Sequence, residues 1–205
     1  MEYEDDRRTG NQTLIRLRDI TKVFPENGVV ANRSVSLDIY QGEIHALVGE
    51  NGSGKSTLMH ILSGLIPPDS GSIELSETVV KLSSPHRALS IGIGMVHQHV
   101  QRVKEFSVLE NIILGQEPRT RLGSIDLKTA RRQVSSLMDT YHLRLDLDRK
   151  GAQLSADGLQ KTALLALLYT GVKVLILDEP TKLFEENQQD LLFSVLRRLL
   201  SLIHI

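Results

Sequence analysis

The sequence predicts an α/β fold: an N-terminal antiparallel β-lobe, then a mostly parallel core sheet with a helical subdomain inserted between its strands. Three observations carry that prediction. Apolar and polar residues alternate through TLIRLRDI, RSVSLDIY and EIHALVG in the first third of the chain, which is the two-residue period of strands. From about residue 104 to 170 the pattern becomes helical. The stretch KVLILDE that follows is an almost unbroken apolar run, as expected of a parallel strand covered on both faces.

Taken in order, MEYEDDRRTGNQ is a polar, acid-rich opening that reads as a flexible tail over residues 1–12, ahead of one domain over 13–205. After the first strands, GENGSGKSTLMHILSGL passes from a glycine-rich turn into a helix whose Leu58, Ile61, Leu62 and Leu65 share one face. The turn formers of IPPDSG return the chain to short strands at SIEL and TVVKL. SSPHRAL opens another helix, with Ser84 as cap and Pro85 at its first position. Within the helical subdomain, Ser107 and Glu110 form a capping-box pattern, and DLKTARRQVSSLMDTYHL starts a helix at Asp126. A last helix carries Leu191, Leu192, Val195, Leu196, Leu199 and Leu200 as one stripe.

Composition removes several function classes. A chain of 205 residues suits one domain with internal lobes. With 24 Lys+Arg against 25 Asp+Glu there is no overall basic field to grip nucleic acid or an anionic membrane. Cysteine is absent, which rules out disulfides and thiolate metal sites. The most apolar stretch, TALLALLYTGVKVLILDEP, is interrupted by Thr170, Gly171 and Lys173 before it reaches the ~20 apolar residues a membrane helix needs. His97 and His99 flank Gln98 without further ligands nearby and are read as ordinary polar residues.

The sharpest signal is Gly49-Glu50-Asn51-Gly52-Ser53-Gly54-Lys55-Ser56, which fits G-x-x-x-x-G-K-[ST] and follows the apolar run IHALV. Glycines let successive N–H groups curl towards phosphate oxygens, and the helix that follows points its positive end at the same charge. Lys55 would supply a mobile cation for the β- and γ-phosphates, and Ser56 a hydroxyl for Mg²⁺. The pattern predicts the phosphate loop of a P-loop NTPase. Further along the chain, Val174 to Leu177 deliver Asp178 and Glu179 to a strand's carboxyl edge, where open α/β sheets place ligands. Asp178 suits a magnesium site, and Glu179 the polarisation of an attacking water.

These motifs, from about Leu14 onward, resemble the ATP-binding subunit of an ABC transporter. The run ENGSGKSTLMHILSGLIPPDSG, with IGIGMVHQH and SVLENIILGQEP, is most similar to the sugar and nucleoside importers, in which two such modules are fused in tandem and this would be the N-terminal one. The resemblance implies that Gln98 senses the γ-phosphate, contributes to the metal site and touches the permease, and that Phe24 stacks on adenine. It implies a nucleotide site built from Gly49, Asn51, Gly52, Ser53, Gly54, Lys55, Ser56 and Thr57, with Ser155 and Gly158 closing on the partner module's nucleotide. Catalysis would fall to Glu179, Gln98 and Lys55, and metal binding to Ser56, Gln98 and Asp178. ATP and Mg²⁺ are the implied cofactors. The implied partners are a second nucleotide-binding module, transmembrane permease subunits and, indirectly, a solute-binding protein, at the cytoplasmic face of the cell membrane. No nucleic acid is expected, which counts against a soluble family member acting on ribosomes or DNA.

Two departures from the family pattern stand out. The signature Leu-Ser-Gly-Gly-Gln corresponds here to Leu154-Ser155-Ala156-Asp157-Gly158, so a carboxylate replaces the second glycine. Two unit charges about 5 Å apart at an effective dielectric near 20 repel by roughly 3 kcal/mol, enough to weaken closure. Asp157 can face the phosphate in this way, or point to solvent at little cost. The sequence also ends at LLSLIHI, where the family pattern continues to a further strand and histidine; His204 comes too early for that role, and a C-terminally truncated module is expected. Glu185 and Glu186 do not reproduce the usual dimer-contact loop. An ATPase that energises import is one expectation; a degenerate module that binds ATP with little turnover is the alternative.

Overall fold

The computed structural model describes residues 12–96, 102–178 and 196–197. They belong to two compact units that divide between Ser84 and Pro85.

In the first unit β1 (Thr13–Phe24) and β2 (Val29–Tyr40) make a long antiparallel hairpin. Gly28 takes φ 67° in its turn, and its N–H donates to the Pro25 carbonyl. β3 (Ser70–Leu75) pairs with the other edge of β1, and β4 (Thr78–Val80) with β3, so the sheet order is β2-β1-β3-β4 and every pair is antiparallel. β1 therefore lies inside the sheet, which is why Ile15, Leu17 and Ile20 are fully buried. Each such side chain contributes about 1.5–3 kcal/mol of burial. The register slips between Leu17 and Ile20 and again before Lys22 and Val23, so strict alternation fails along the hairpin.

α1 (Lys55–Leu62) buries Leu58, Ile61 and Leu62. The predicted fourth member of that face, Leu65, lies beyond the helix and is exposed. The helix stops because Gly64 adopts φ 72° and the Gly64 and Leu65 N–H groups donate back to the Ile61 and His60 carbonyls, a Schellman closure.

One predicted strand does not form. Residues 43–50 carry no ladder among the described residues, and Ile44 and Val48 are exposed. After β2 the chain turns at Gly42 (φ 71°), and the Glu43 carboxylate accepts from the Tyr40 N–H at 2.9 Å. From there the backbone runs without a partner strand among the described residues. Alternation predicts an extended chain, but only a neighbouring strand makes it a strand.

The second unit contains α2 (Pro85–Ser90), β5 (Ile93–Val96), α3 (Val108–Ile113), α4 (Leu127–Tyr141), a 3-10 turn (Gly151–Gln153), α5 (Ala156–Tyr169) and β6 (Val174–Leu177). α2 starts on Pro85, as predicted. β5 and β6 pair in parallel, with Ile93 opposite Val174 and Val96 opposite Leu177. The helices α3, α4 and α5 all lie in the crossover between these strands, as an inserted helical subdomain requires. β6 is less covered than its apolar run suggests: only Ile176 is buried, because among the described residues β6 has β5 on one edge and no strand on the other.

The subdomain's local signals are realised. Ser107 Oγ accepts from the Glu110 N–H at 3.2 Å, and the Glu110 carboxylate accepts from the Ser107 N–H at 2.7 Å. Asp126 caps α4 by accepting from the Thr129 N–H at 3.0 Å. α5 passes close over β5 at Gly94, where an added Cβ would lie 2.9 Å from Leu167 and 2.8 Å from Val172. The predicted last helix falls largely outside the described residues; Leu196 and Arg197 are helical.

Candidate functional site

The glycine-rich loop ends in a backbone that no residue with a Cβ would tolerate. Gly52 and Gly54 have φ 82° and 88°, in the left-handed region. A Cβ on Gly54 would lie 2.1 Å from the Ala31 carbonyl oxygen and 2.8 Å from Asn32 Nδ2. Gly54 is also the N-cap of α1 and brings no side chain to cap it. The first N–H groups of the helix, on Lys55, Ser56 and Thr57, therefore have neither an intrahelical acceptor nor a cap. Donors in that setting, at the positive end of a helix, suit an anion. Lys55 Nζ turns back into the loop and donates to the Gly49 carbonyl at 2.8 Å, the Glu50 carbonyl at 2.7 Å and Ser53 Oγ at 3.3 Å. Its ammonium thus lies within the ring of loop atoms that the motif predicts. Asn51 and Ser56 are exposed.

Phe24 ends β1 opposite Val29 of β2. Asn32, three residues further along β2, touches the loop through Gly54, so the same hairpin carries the predicted aromatic and the loop's support. Phe24 lies two residues past Lys22, the residue opposite Asn32, which is about 7 Å along a strand. Lys22 Nζ is 5.8 Å from the centre of the Phe24 ring and 2.9 Å from Asp69 Oδ1. Lys22, and the Val23 N–H that donates to Asp69 Oδ2 at 2.7 Å, hold the Asp69 carboxyl below the usual range. The sequence reading missed Lys22, Asp69 and Asn32. Lys22 had a signal, since residues two apart on a strand share a face; Asn32 had none, because the register slips of the hairpin decide that it points inward.

In the second unit Asp178 directly follows β6, and its N–H reaches the Val96 carbonyl at 3.5 Å. The carboxylate therefore belongs to the carboxyl edge of the β5–β6 pair. Gln98 and Glu179 lie outside the described residues, as do His97, His99, Glu185, Glu186 and His204. Among the described residues no three His, Cys, Asp or Glu side chains converge on a common point.

The signature segment forms the N-terminus of α5. Ser155 is its N-cap and accepts from the Gly158 N–H at 3.2 Å. Gly158 is buried, and a Cβ there would stand 3.0 Å from Leu154 Cδ2. Asp157 meets neither expectation in full. Its side chain is 27% exposed, and Lys161, one turn on, donates to Oδ2 at 2.7 Å, while Oδ1 is buried without a partner among the described residues. The negative charge that replaces the glycine thus carries its own counter-ion.

A family model for the ABC transporter matches residues 32–182, a span that holds the loop, the signature segment and Asp178. The chain belongs to the ABC transporter family. Among curated ABC proteins it is 43% identical over 186 residues to the guanosine import ATP-binding protein NupO of Bacillus subtilis, covering 91% of this chain and 36% of that protein. It is 42% identical over 190 residues to the nucleoside import ATP-binding protein NupA of Lactococcus lactis, covering 93% and 37%. It is 39% identical over 215 residues to the glucose import ATP-binding protein TsgD13 of Haloferax volcanii, covering 92% and 39%. The chain therefore spans rather more than a third of the length of these relatives. The fold matches solved ABC cassettes. The ADP conformation of MJ1267, an ATP-binding cassette of an ABC transporter, aligns with TM-score 0.79 at 24% identity over 92% of this chain and 77% of the other. A dimeric post-hydrolysis state of MJ0796 bound to ADP and Pi aligns with TM-score 0.77 at 23% identity, covering 91% and 83%. The predicted P-loop NTPase architecture is the fold of these ABC cassettes.

Proposed function

We propose that this chain binds Mg-ATP at residues 49–57 and hydrolyses it to energise import of a nucleoside or sugar through a membrane permease. The observation that carries the reading is the loop itself: an uncapped helix start behind Gly54, with the Lys55 ammonium held among loop oxygens. The residues present fit a polyphosphate, since the first N–H groups of α1 carry no side-chain cap at the positive end of the helix and the Lys55 ammonium lies beside them. The substrate class is supported by the relatives, which are guanosine, nucleoside and glucose import proteins.

In this reading the N–H groups of Lys55, Ser56 and Thr57 take the phosphate oxygens, and Gly49, Asn51, Gly52 and Ser53 shape the ring around them. Phe24 offers its ring to the adenine. Ser56, Asp178 and Gln98 would hold magnesium, which when bound neutralises charge on the β- and γ-phosphates. Glu179 and Gln98 orient the attacking water, so that catalysis is positioning plus charge stabilisation. Ser155 and Gly158 address the nucleotide of a second module, the other half of a dimer or tandem protein. That pair works against permease subunits on the inner face of the membrane, with a solute-binding protein delivering the cargo.

A second reading, ATP binding with little turnover, rests on Asp157 in the signature segment. The pairing with Lys161 lowers the net charge shown to a phosphate and favours the first reading. Nucleotide titration beside a steady-state ATPase assay, on this chain and on Asp157→Gly, separates them. Magnesium-dependent ATP binding with turnover that Asp157→Gly changes only modestly supports import-type hydrolysis. Turnover that appears only in Asp157→Gly supports the second reading, and absence of magnesium-dependent nucleotide affinity ends both.

A further inference from the structure

Asn32 is the most buried residue of β2, at 5% exposure, in a strand whose other members are half-buried or exposed. An amide side chain at such a position is costly to bury unless it is bonded. Its Nδ2 donates to the Gly54 carbonyl at 3.2 Å, while its Oδ1 is buried with no partner among the described residues. Packing alone does not explain it, since a leucine has nearly the same shape and would leave no orphan acceptor.

The bond falls on one particular peptide. The Gly54 carbonyl accepts from Asn32 and also from the Leu58 N–H at 3.0 Å, the first turn of α1. In a trans peptide the carbonyl and the following N–H point in opposite directions. Fixing the Gly54 oxygen towards β2 and the helix therefore fixes the Lys55 N–H away from them, on the opposite side of that peptide plane. The Ala31 carbonyl backs the same glycine, where an added Cβ would lie 2.1 Å from its oxygen, so the peptide plane is gripped from the strand side by backbone and side chain together.

We infer that Asn32 is a positioning residue for the phosphate site: through the Gly54 carbonyl it sets the orientation of the peptide joining Gly54 to Lys55, and so presents the Lys55 N–H to the terminal phosphates. The inference rests on the reading of residues 49–57 as a triphosphate site and adds a residue to it from outside the motif. The orphan Oδ1 fits this role, because stability has been given up for the donor on the other arm of the amide.

The test uses the full chain and a fluorescent mant-ATP titration with Mg²⁺, alongside thermal unfolding, for wild type and Asn32→Leu. A residue that only fills space would let Asn32→Leu unfold at the same or a higher temperature with unchanged affinity. A positioning residue gives an unchanged or higher unfolding temperature with a dissociation constant weakened about tenfold, the scale of one lost hydrogen bond. Unchanged affinity in Asn32→Leu overturns the inference. Should that variant fail to fold, Asn32→Ser takes its place with the same two outcomes, since its hydroxyl ends one bond short of the present donor. Failure of the wild-type protein to bind mant-ATP overturns the triphosphate site itself and this inference with it, whereas wild-type binding that the variants retain overturns Asn32 alone.

Discussion

Gly54 is gripped by strand backbone on one side and begins a helix on the other, and both the close Ala31 oxygen and its φ of 88° exclude a side chain. Gly54→Ala should therefore cost at least about 2 kcal/mol, from the left-handed backbone and the clash with the Ala31 oxygen combined. A fall in the urea unfolding midpoint together with loss of nucleotide binding is the expected result. The loop was legible in the sequence because its chemistry is local: eight consecutive residues determine the turn, the cation and the helix start. Asn32 was not, because its inward orientation depends on where β1 and β2 slip register. Asp157 was half legible: the substitution is visible in the sequence, but its pairing with Lys161 depends on α5 starting at Ala156 and placing the two residues one turn apart.

Elements whose ends are set by neighbouring residues came out as predicted, whereas the strand expected at residues 43–50, which needed a distant partner, did not form. The capping box of α3 shows the first case. Bonds from the Ser107 N–H and hydroxyl hold the Glu110 carboxyl below its usual range. A depressed carboxylate stabilises the fold above its unfolded-state value, and that contribution disappears as the pH falls through the lowered folded-state value. Unfolding midpoints of wild type and Glu110→Ala should differ at neutral pH and converge in acid. Ser107→Ala should lose about 1 kcal/mol at pH 7, measured by denaturant titration, as removal of a cap usually does. Residues 43–50 show the second case. Their alternation equals that of β2, yet they form no ladder, since a run of eight residues does not reveal which strand will stand beside it.

At the scale of the molecule, the β-lobe with the loop and the β5–β6 pair with the helical subdomain form separate compact units. A ligand that binds only the folded chain stabilises it by mass action, about 2.7 kcal/mol at a hundredfold excess over its dissociation constant. For a chain of this size Mg-ATP should raise the unfolding temperature by about 5–10 °C. Differential scanning fluorimetry with Mg-ATP, Mg-AMP and the Lys55→Ala variant checks this: the shift should need the terminal phosphates and should disappear with the lysine. Fold class was legible because β-lobe, helical subdomain and apolar strand follow one another in order. The antiparallel order β2-β1-β3-β4 was not, because nothing in β3 says which edge of the first hairpin it joins.

The narrow passage between α5 and β5 at Gly94 has a consequence for how such a sequence can change. Leu167 and the Val172 side chain already fill the space that a residue at 94 would use. Bulk at any one of these three sites has to be matched by a smaller neighbour at another. Positions 94, 167 and 172 should accordingly covary across related sequences, and a random-mutagenesis library selected for folding should recover changes at 94 only in the company of a second, compensating one.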